Sequence, residues 1–574
     1  MIRGLFQTKR LDDILATAAA SEHTLKRTLG WGHVTLLGIG GIIGAGIFAT
    51  VGEAAAGVAG KAGAGPSLML SFTITAIVCG FTALCYAEFA SMVPISGSAY
   101  TYSYSTLGEL IAWIIGWDLI LEYAVGNTAV AISWAGYFKT FLHGCGINVP
   151  IWLAIDYRSA VRDGLLDQLP QVFGIHIAFN VLAFLIVAAI TVLLVWGIRE
   201  SARFNAGMVV VKLIVLTFFV VLAFYYVSPT KMVENWHPFQ PTGWKGTFTG
   251  AAVIFFAYIG FDAVSTVAEE TKNPKRDLPI GIIASLVICT VIYIVVAGVF
   301  SGMMPFAELQ KRPKSELAES LTMALDFVAP HQTWATTIVA FGSVVAHTAV
   351  LLVFQMGQPR IFFSMARDGL LPQSFAKVHP RFKTPYVTTI LTGLAVGTVA
   401  GFTNIDEMVA LTNIGTLFAF SLVCIGITIL RFTDPDRPRP FRVPFGPFLL
   451  PMLGVASCMF LMVYLPPASW WRFIGWLVLG MSIYLAYGYS HSTVGRKAGR
   501  LPHTSLALSA MALGVLLIAV GLFIIPHDAL PAQILIDAAT AASANHSRSL
   551  SGVVLMGLGL VLSAVGAAKA STTR

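Results

Sequence analysis

The chain is 574 residues long, 56% hydrophobic and only 11% charged, with a formal net charge of +8. A soluble domain carries about a quarter of its residues as charges and seldom sustains long apolar runs, so this composition excludes a water-soluble globular protein. The basic excess alone would fit a nucleic-acid binder as well as a membrane protein with basic cytoplasmic loops, and its distribution decides between them.

Residues 1–32 carry charges throughout and lack a continuous apolar run of the secretory type, so they are expected to remain in the cytoplasm as an N-terminal segment. Beyond them, apolar stretches of about 18 or more residues recur along nearly the whole chain, and a helix needs about 20 to cross the hydrocarbon layer. The expectation is an all-α integral membrane protein. Spans are expected at 33–55, 66–90, 109–135, 176–197, 205–227, 247–268 and 279–303. Seven more follow at 332–357, 386–403, 406–430, 447–465, 473–489, 504–525 and 550–568, about fourteen transmembrane helices altogether. Five of the six cysteines fall inside these runs and Cys145 in a loop, which offers no disulfide framework or CxxC metal site. Neither a metal nor a cofactor is expected.

With the N-terminus inside, cytoplasmic segments hold 24 Lys and Arg, external loops hold 11, and Lys212 alone lies within a span. Retained loops carry the positive excess, so the asymmetry supports an even number of helices with both termini cytoplasmic in a cell membrane. It also removes nucleic acid as a partner.

The first span carries five glycines in GIGGIIGAGIF (Gly38, Gly40, Gly41, Gly44, Gly46), each costing a helix about 1 kcal/mol relative to alanine. A lone pair of glycines would be read as close helix packing. The sixth span holds FFAYIGFDA, with Gly260 among aromatics and the ionisable Asp262 beside it. First and sixth are corresponding positions of two five-helix halves, where inverted-repeat transporters place discontinuous helices. An unwound helix exposes N–H groups at one half-helix end and C=O groups at the other, so one site at the midplane can take both charges of an amino acid zwitterion.

Five motifs in order, LLGIGGIIGAGIF, ESARFNAGMVVVK, FFAYIGFDAVSTVAEETKNPKRDLPIGI, ARDGLLP and PRPFRVPFGP, span about residues 25–445. In these the chain resembles the cationic amino acid transporter family, as a bacterial member, within the amino acid, polyamine and organocation superfamily. The resemblance implies a LeuT-type core of five plus five inverted helices over 33–432, followed by helices eleven and twelve at 445–490. Helices thirteen and fourteen, at 503–570, look like the longer animal arrangement. It implies proton-coupled amino acid uptake by alternating access, with cationic and neutral amino acids both candidate substrates. It puts the substrate carboxylate on backbone N–H groups around Gly44, Ala45 and Gly46, and the ammonium on carbonyls of Ile42, Phe256, Ala257 and Ile259. Phe256 would cover the ligand as a gate, although an isolated phenylalanine in a span is more often plain packing.

Charged groups inside a bilayer cost at least about 2.5–3.5 kcal/mol, so each needs a partner or a purpose. Lys212 in the fifth span reads by position either as a snorkelling side chain or as a functional cation. Related proton-coupled members carry a lysine at this point, where its ammonium stands in for sodium, so the resemblance makes Lys212 the coupling residue. Asp262 reads either as its partner or as a cap on the unwound sixth helix. Glu122 lies four residues after Asp118 on one face of the third span, and reads either as a structural hydrogen-bonding group or as part of a proton relay. His347, deep in the eighth span, reads more plainly as a packed ring than as a substrate contact. An enzyme would need a nucleophile–base constellation or a metal cluster, and a channel rings of like charge; the sequence displays broken helices instead. A transporter-like amino acid sensor, or an exchanger without proton coupling, shares the same residues and stays open.

Overall fold

The computed structural model describes residues 6–9, 27, 29–58, 61–93, 98–172, 175–196, 202–382, 384–497 and 514. The expected spans at 504–525 and 550–568, and most of the segment 1–32, lie outside the described residues. Within them, eight helical segments are long and apolar enough to cross a membrane: Trp31–Ala56, Gly65–Met92, Ala206–Tyr226, Gly243–Ser265, Pro274–Met303, Thr333–Arg367, Ile405–Thr433 and Pro467–His491. Three shorter apolar helices, Val181–Trp196, Tyr386–Phe402 and Leu449–Tyr464, and the 36-residue helix Glu109–Gly144 complete twelve spans in chain order. The only strands among the described residues form two short antiparallel ribbons, Gly57–Val58 with Lys61–Ala62 and Gln171–Val172 with Ile175–His176.

Each of the twelve falls on an expected apolar run, and the differences lie at the ends. The third span continues to Gly144 instead of stopping at 135, because Lys139 meets Glu319 at 3.2 Å and need not end the helix. The eighth runs to Arg367 instead of 357 and carries Pro359 within it. The twelfth begins at Pro467, and its Arg472 reaches Glu407 at 3.3 Å. In each case a charged or proline residue taken as a boundary is absorbed into the helix by a partner or by the turn around it.

The first and sixth spans are discontinuous. Trp31–Ile42 ends where Ile43 adopts an extended conformation (φ −74°, ψ 103°), and after Gly44 and Ala45 the chain re-enters a wide turn at Gly46–Thr50 and a final helix Val51–Ala56. The sixth span runs as helix over Gly243–Ile254 and tightens at Phe255–Tyr258. It then breaks at Ile259 (ψ 135°) and Gly260 (φ +121°) before the tight helix Asp262–Glu270. The first half-helix lies between the fifth and seventh spans, and the third span lies between the eighth and tenth. The two breaks touch each other at the buried centre.

The motifs outside the breaks tie spans together at one end of the molecule. In PRPFRVPFGP, Arg439 approaches the buried Glu88 of the second span at 3.4 Å and the Val443 N–H donates to it at 2.7 Å. Arg431, from the end of the tenth span, donates to the same carboxylate at 2.9 Å. In ARDGLLP, Asp368 accepts from Tyr100 and from Lys9, both at 2.9 Å.

Candidate functional site

Helices that stop inside a membrane leave carbonyl groups at their C-terminal ends and N–H groups at their N-terminal ends, and no water is at hand to satisfy them. The structure answers this at both breaks with side chains from other spans. At the first break, Lys212 of the fifth span is fully buried, and its ammonium donates to the carbonyls of Gly40 at 2.6 Å and Ile43 at 2.8 Å. These carbonyls form the negative end of the half-helix Trp31–Ile42, so the site would attract a cation even without the tether. At the sixth break, the Asn413 amide of the tenth span donates to the carbonyls of Ala252 at 2.8 Å and Val253 at 3.0 Å. Asp262 accepts from the Gly260 N–H at 3.1 Å and so holds the turn that leads into the second half-helix.

Backbone meets backbone where the breaks cross. A methyl group added at Gly260 would stand 2.6 Å from the Gly41 carbonyl oxygen, and the positive φ at Gly260 independently favours glycine. At Gly46 an added methyl would overlap the Ala257 backbone, and at Gly44 it would lie 2.5 Å from Val350. The glycines thus let the link Gly44–Gly46 press against the turn Phe255–Tyr258. The Tyr293 hydroxyl of the seventh span bridges the two, 2.9 Å from the Ile42 carbonyl oxygen and 3.0 Å from that of Ala257. The Phe256 carbonyl accepts from the Ile259 N–H at 3.4 Å, and both side chains are buried.

The remaining ionisable groups occupy the buried region around this centre. Asp118 and Glu122 share one face of the third span, toward the tenth: Asp118 lies against Gly415, and Glu122 lies within hydrogen-bond reach of Thr416. Glu122 also neighbours Asp262. His347 stacks obliquely on Phe48 and Tyr137, donates from Nδ1 to the Ser343 carbonyl at 2.6 Å, and has the Ser133 hydroxyl 2.7 Å from Nε2. A ring bonded at both nitrogens among aromatics is a packed one. Tyr137 in turn donates to the Phe48 carbonyl at 2.5 Å, beside the wide turn of the first break.

The residues singled out from the sequence therefore fall into one buried region: Ile42, Gly44, Ala45 and Gly46 in the first break, Phe256, Ala257, Ile259 and Asp262 in the sixth, Lys212 on carbonyls of the first break, and Glu122 alongside. Sequence reasoning missed Tyr293 and Asn413. Tyr293 lies in an ordinary apolar run, and Asn413 follows a threonine in a helix rich in small polar residues, so neither carries a local signal; only the crossing of helices gives them a task.

Twelve spans among the described residues, two of them broken and packed break to break, are the architecture of a multi-pass membrane protein consistent with a transporter. The amino acid permease family matches residues 29–485, and the chain belongs to that family, within the amino acid, polyamine and organocation superfamily. It is 44% identical to the branched-chain amino acid permease BcaP of Bacillus subtilis over 86% of this chain and 99% of that protein. It is 41% identical to a methylthioribose transporter of the same organism, again over 86% and 99%. A vacuolar cationic amino acid transporter 2 of Arabidopsis thaliana is 37% identical over 76% of this chain and 65% of its own length.

Proposed function

We propose that this permease is a secondary active transporter that takes up amino acids with protons by alternating access, and that Lys212 is the residue that couples the two. The observation that carries the reading is the Lys212 ammonium on the Gly40 and Ile43 carbonyls. A half-helix C-terminus with unpaired carbonyls is a site for a metal cation in a transporter driven by one. Here a tethered ammonium fills it, and an ammonium can lose its proton where a metal ion must depart. Protonated, Lys212 holds the first half-helix against the fifth span with charge-assisted bonds; neutral, it grips more weakly and frees that half-helix to move.

The substrate site in this reading is the crossing of the breaks. The carboxylate sits on N–H groups of Gly44, Ala45 and Gly46, where bare glycines permit close approach, and the ammonium on carbonyls of Ile42, Phe256, Ala257 and Ile259. Phe256 closes over it. Asp262 and Glu122 neighbour the site as secondary proton-accepting groups. The relatives' names carry two classes of amino acid, branched-chain and cationic, and one sugar thioether, methylthioribose. Val350 against Gly44, and Phe48 against Tyr137, suit an aliphatic side chain, and we favour a neutral substrate on that ground. The architecture proposed with this function is an inverted five plus five core over 33–432, helices eleven and twelve at 445–490, and two further helices at 503–570. The ends bearing the most Lys and Arg face the cytoplasm, with both termini.

Uptake into proteoliposomes under imposed pH and sodium gradients tests the coupling. Wild-type protein is expected to accumulate substrate with an inward proton gradient and without sodium, and Lys212→Ala to lose that accumulation. Uptake that follows sodium and ignores pH would sink the proposal, and failure of counterflow in intact wild type would point to a sensor. Competition across the amino acids then separates neutral from cationic substrates.

A further inference from the structure

At the end assigned above to the outside, five charged side chains from four segments converge. Glu53 closes the first span, Asp406 opens the tenth, Arg162 and Asp163 end the loop helix Tyr157–Arg162, and Lys314 begins the short helix Lys314–Leu317. Asp406 Oδ2 accepts from Lys314 at 3.2 Å and from Arg162 at 3.3 Å, while Arg162 also reaches Asp163 at 3.2 Å. Glu53 is only 2% exposed. Its Oε1 and the Oδ1 of Asp406 are both buried, and neither accepts a hydrogen bond from a donor among the described residues. The two carboxyl groups face each other within hydrogen-bond reach.

Two ionised carboxylates in that position repel and leave both inner oxygens without a donor, which a buried site does not tolerate. A protonated carboxyl, by contrast, is a donor, so a single proton turns two orphan acceptors into one bonded pair. The charges agree with that count. Glu53, Asp406 and Asp163 ionised against Arg162 and Lys314 leave one excess negative charge, which one proton removes. The surrounding charged groups are engaged elsewhere: Glu407 with Arg158 and Arg472, Glu316 with Arg312, Glu308 with Lys311, and Glu319 with Lys139. Lys61 is held by the carbonyls of Tyr464 and Leu465, Asp156 caps its own helix, and Lys245 and Asp326 are exposed.

We propose that Glu53 and Asp406 form a proton-binding latch on the outer gate, holding one proton between them when the gate is closed and releasing it when the gate opens. The proton joins the end of the first span to the start of the tenth, and through Asp406 to the two short loop helices that carry Arg162 and Lys314. External acid therefore favours closure behind an incoming substrate. The inference takes from the proposed function only alternating access and the assignment of this end to the outside; it does not depend on Lys212.

The test reads gate opening without substrate or gradient. A cavity of about 120 Å³ beside the latch is lined by Ile132, Arg162, Lys314 and Ile405. In the full chain carrying Ile132→Cys, reaction of the introduced thiol with a membrane-impermeant maleimide is compared with that of the native, exposed Cys145 in the same molecule, which cancels the pH dependence of thiol reactivity. The expected ratio rises with pH, by up to about tenfold per unit on the titrating limb for a one-proton latch. In Glu53→Gln the amide donates permanently to Asp406, so the ratio stays low and flat. Asp406→Asn, which donates in the other direction, gives the same flat profile and serves should the first variant fail to fold. A wild-type ratio independent of pH, or either variant following the wild-type profile, overturns the latch. An introduced thiol that never reacts overturns the latch and the outside assignment together, whereas proton-independent uptake with a titrating ratio removes only the Lys212 mechanism.

Discussion

The first and sixth breaks present the same physical problem and receive different answers. Each half-helix ends in carbonyls that must find donors away from water, and each finds them on another span: Gly40 and Ile43 from Lys212, Ala252 and Val253 from Asn413. A charged donor makes bonds worth roughly 1.5–3 kcal/mol, a neutral amide about 1 kcal/mol. The larger difference is chemical. An amide keeps its donors at every pH, while a lysine's grip depends on its proton. In the proposed mechanism one break is thus fixed and the other conditional, so that a proton acts on one half-helix and leaves the opposite one in place.

The sharpest way to break that contrast is to remove the charged donor. Lys212→Ala deletes two charge-assisted bonds, so a loss of gradient-driven uptake on the order of a hundredfold or more is expected in proteoliposomes. Arginine should not rescue it, because a guanidinium holds its proton at any accessible pH. Normal accumulation against a gradient in either variant would make the two breaks equivalent. Next in size is Gly46→Val. The added carbons overlap the Ala257 backbone and force the breaks apart, so saturable binding should vanish by thermal shift while the protein remains monodisperse. Undiminished affinity would move the substrate elsewhere. Asn413→Ala is expected to do less. It leaves the Ala252 and Val253 carbonyls without their side-chain donor, at about 1–3 kcal/mol, which lowers uptake but leaves the shape of its pH profile unchanged. A shifted profile would mean that both breaks sense protons.

How far the sequence reveals this arrangement follows from where each signal is written. The breaks are legible because glycines and an ionisable residue are locally wrong for a membrane helix: Gly40, Gly41, Gly44 and Gly46 in the first span, Gly260 and Asp262 in the sixth. Lys212 is legible for the same reason, a charge in an apolar run. Which carbonyls it holds is not, since Gly40 and Ile43 are about 170 positions away and only helix crossing brings them together. Two readings of Asp262 stand open in the sequence, and its bond to the Gly260 N–H, inside the break, is visible only once the chain is folded. The ends of the third and eighth spans differ from the expected ones for a related reason, because Lys139 looks like a terminus until Glu319 neutralises it and Pro359 looks like one although the helix continues through it. Tyr293 and Asn413 are of ordinary type in ordinary runs. Their importance lies wholly in what they touch.

The smallest expected effect belongs to Tyr293, and it refines the comparison instead of breaking it. Its hydroxyl bridges the Ile42 and Ala257 carbonyls, one from each break, and so joins the two. Those carbonyls are also two of the four assigned to the substrate ammonium. A carbonyl oxygen has two lone pairs, so a phenol and an ammonium can share it, and the ammonium is the stronger donor. Tyr293→Phe therefore removes one neutral hydrogen bond and frees acceptors the substrate can use. Substrate affinity should change by no more than about fivefold in either direction, corresponding to about 1 kcal/mol, with proton-driven uptake retained. The measurement is the substrate concentration dependence of uptake at fixed pH gradient, for Tyr293→Phe against wild type. Complete loss of uptake with intact binding would show that the hydroxyl transmits movement from one break to the other, and the contrast between a fixed and a conditional break would then need a third, shared element.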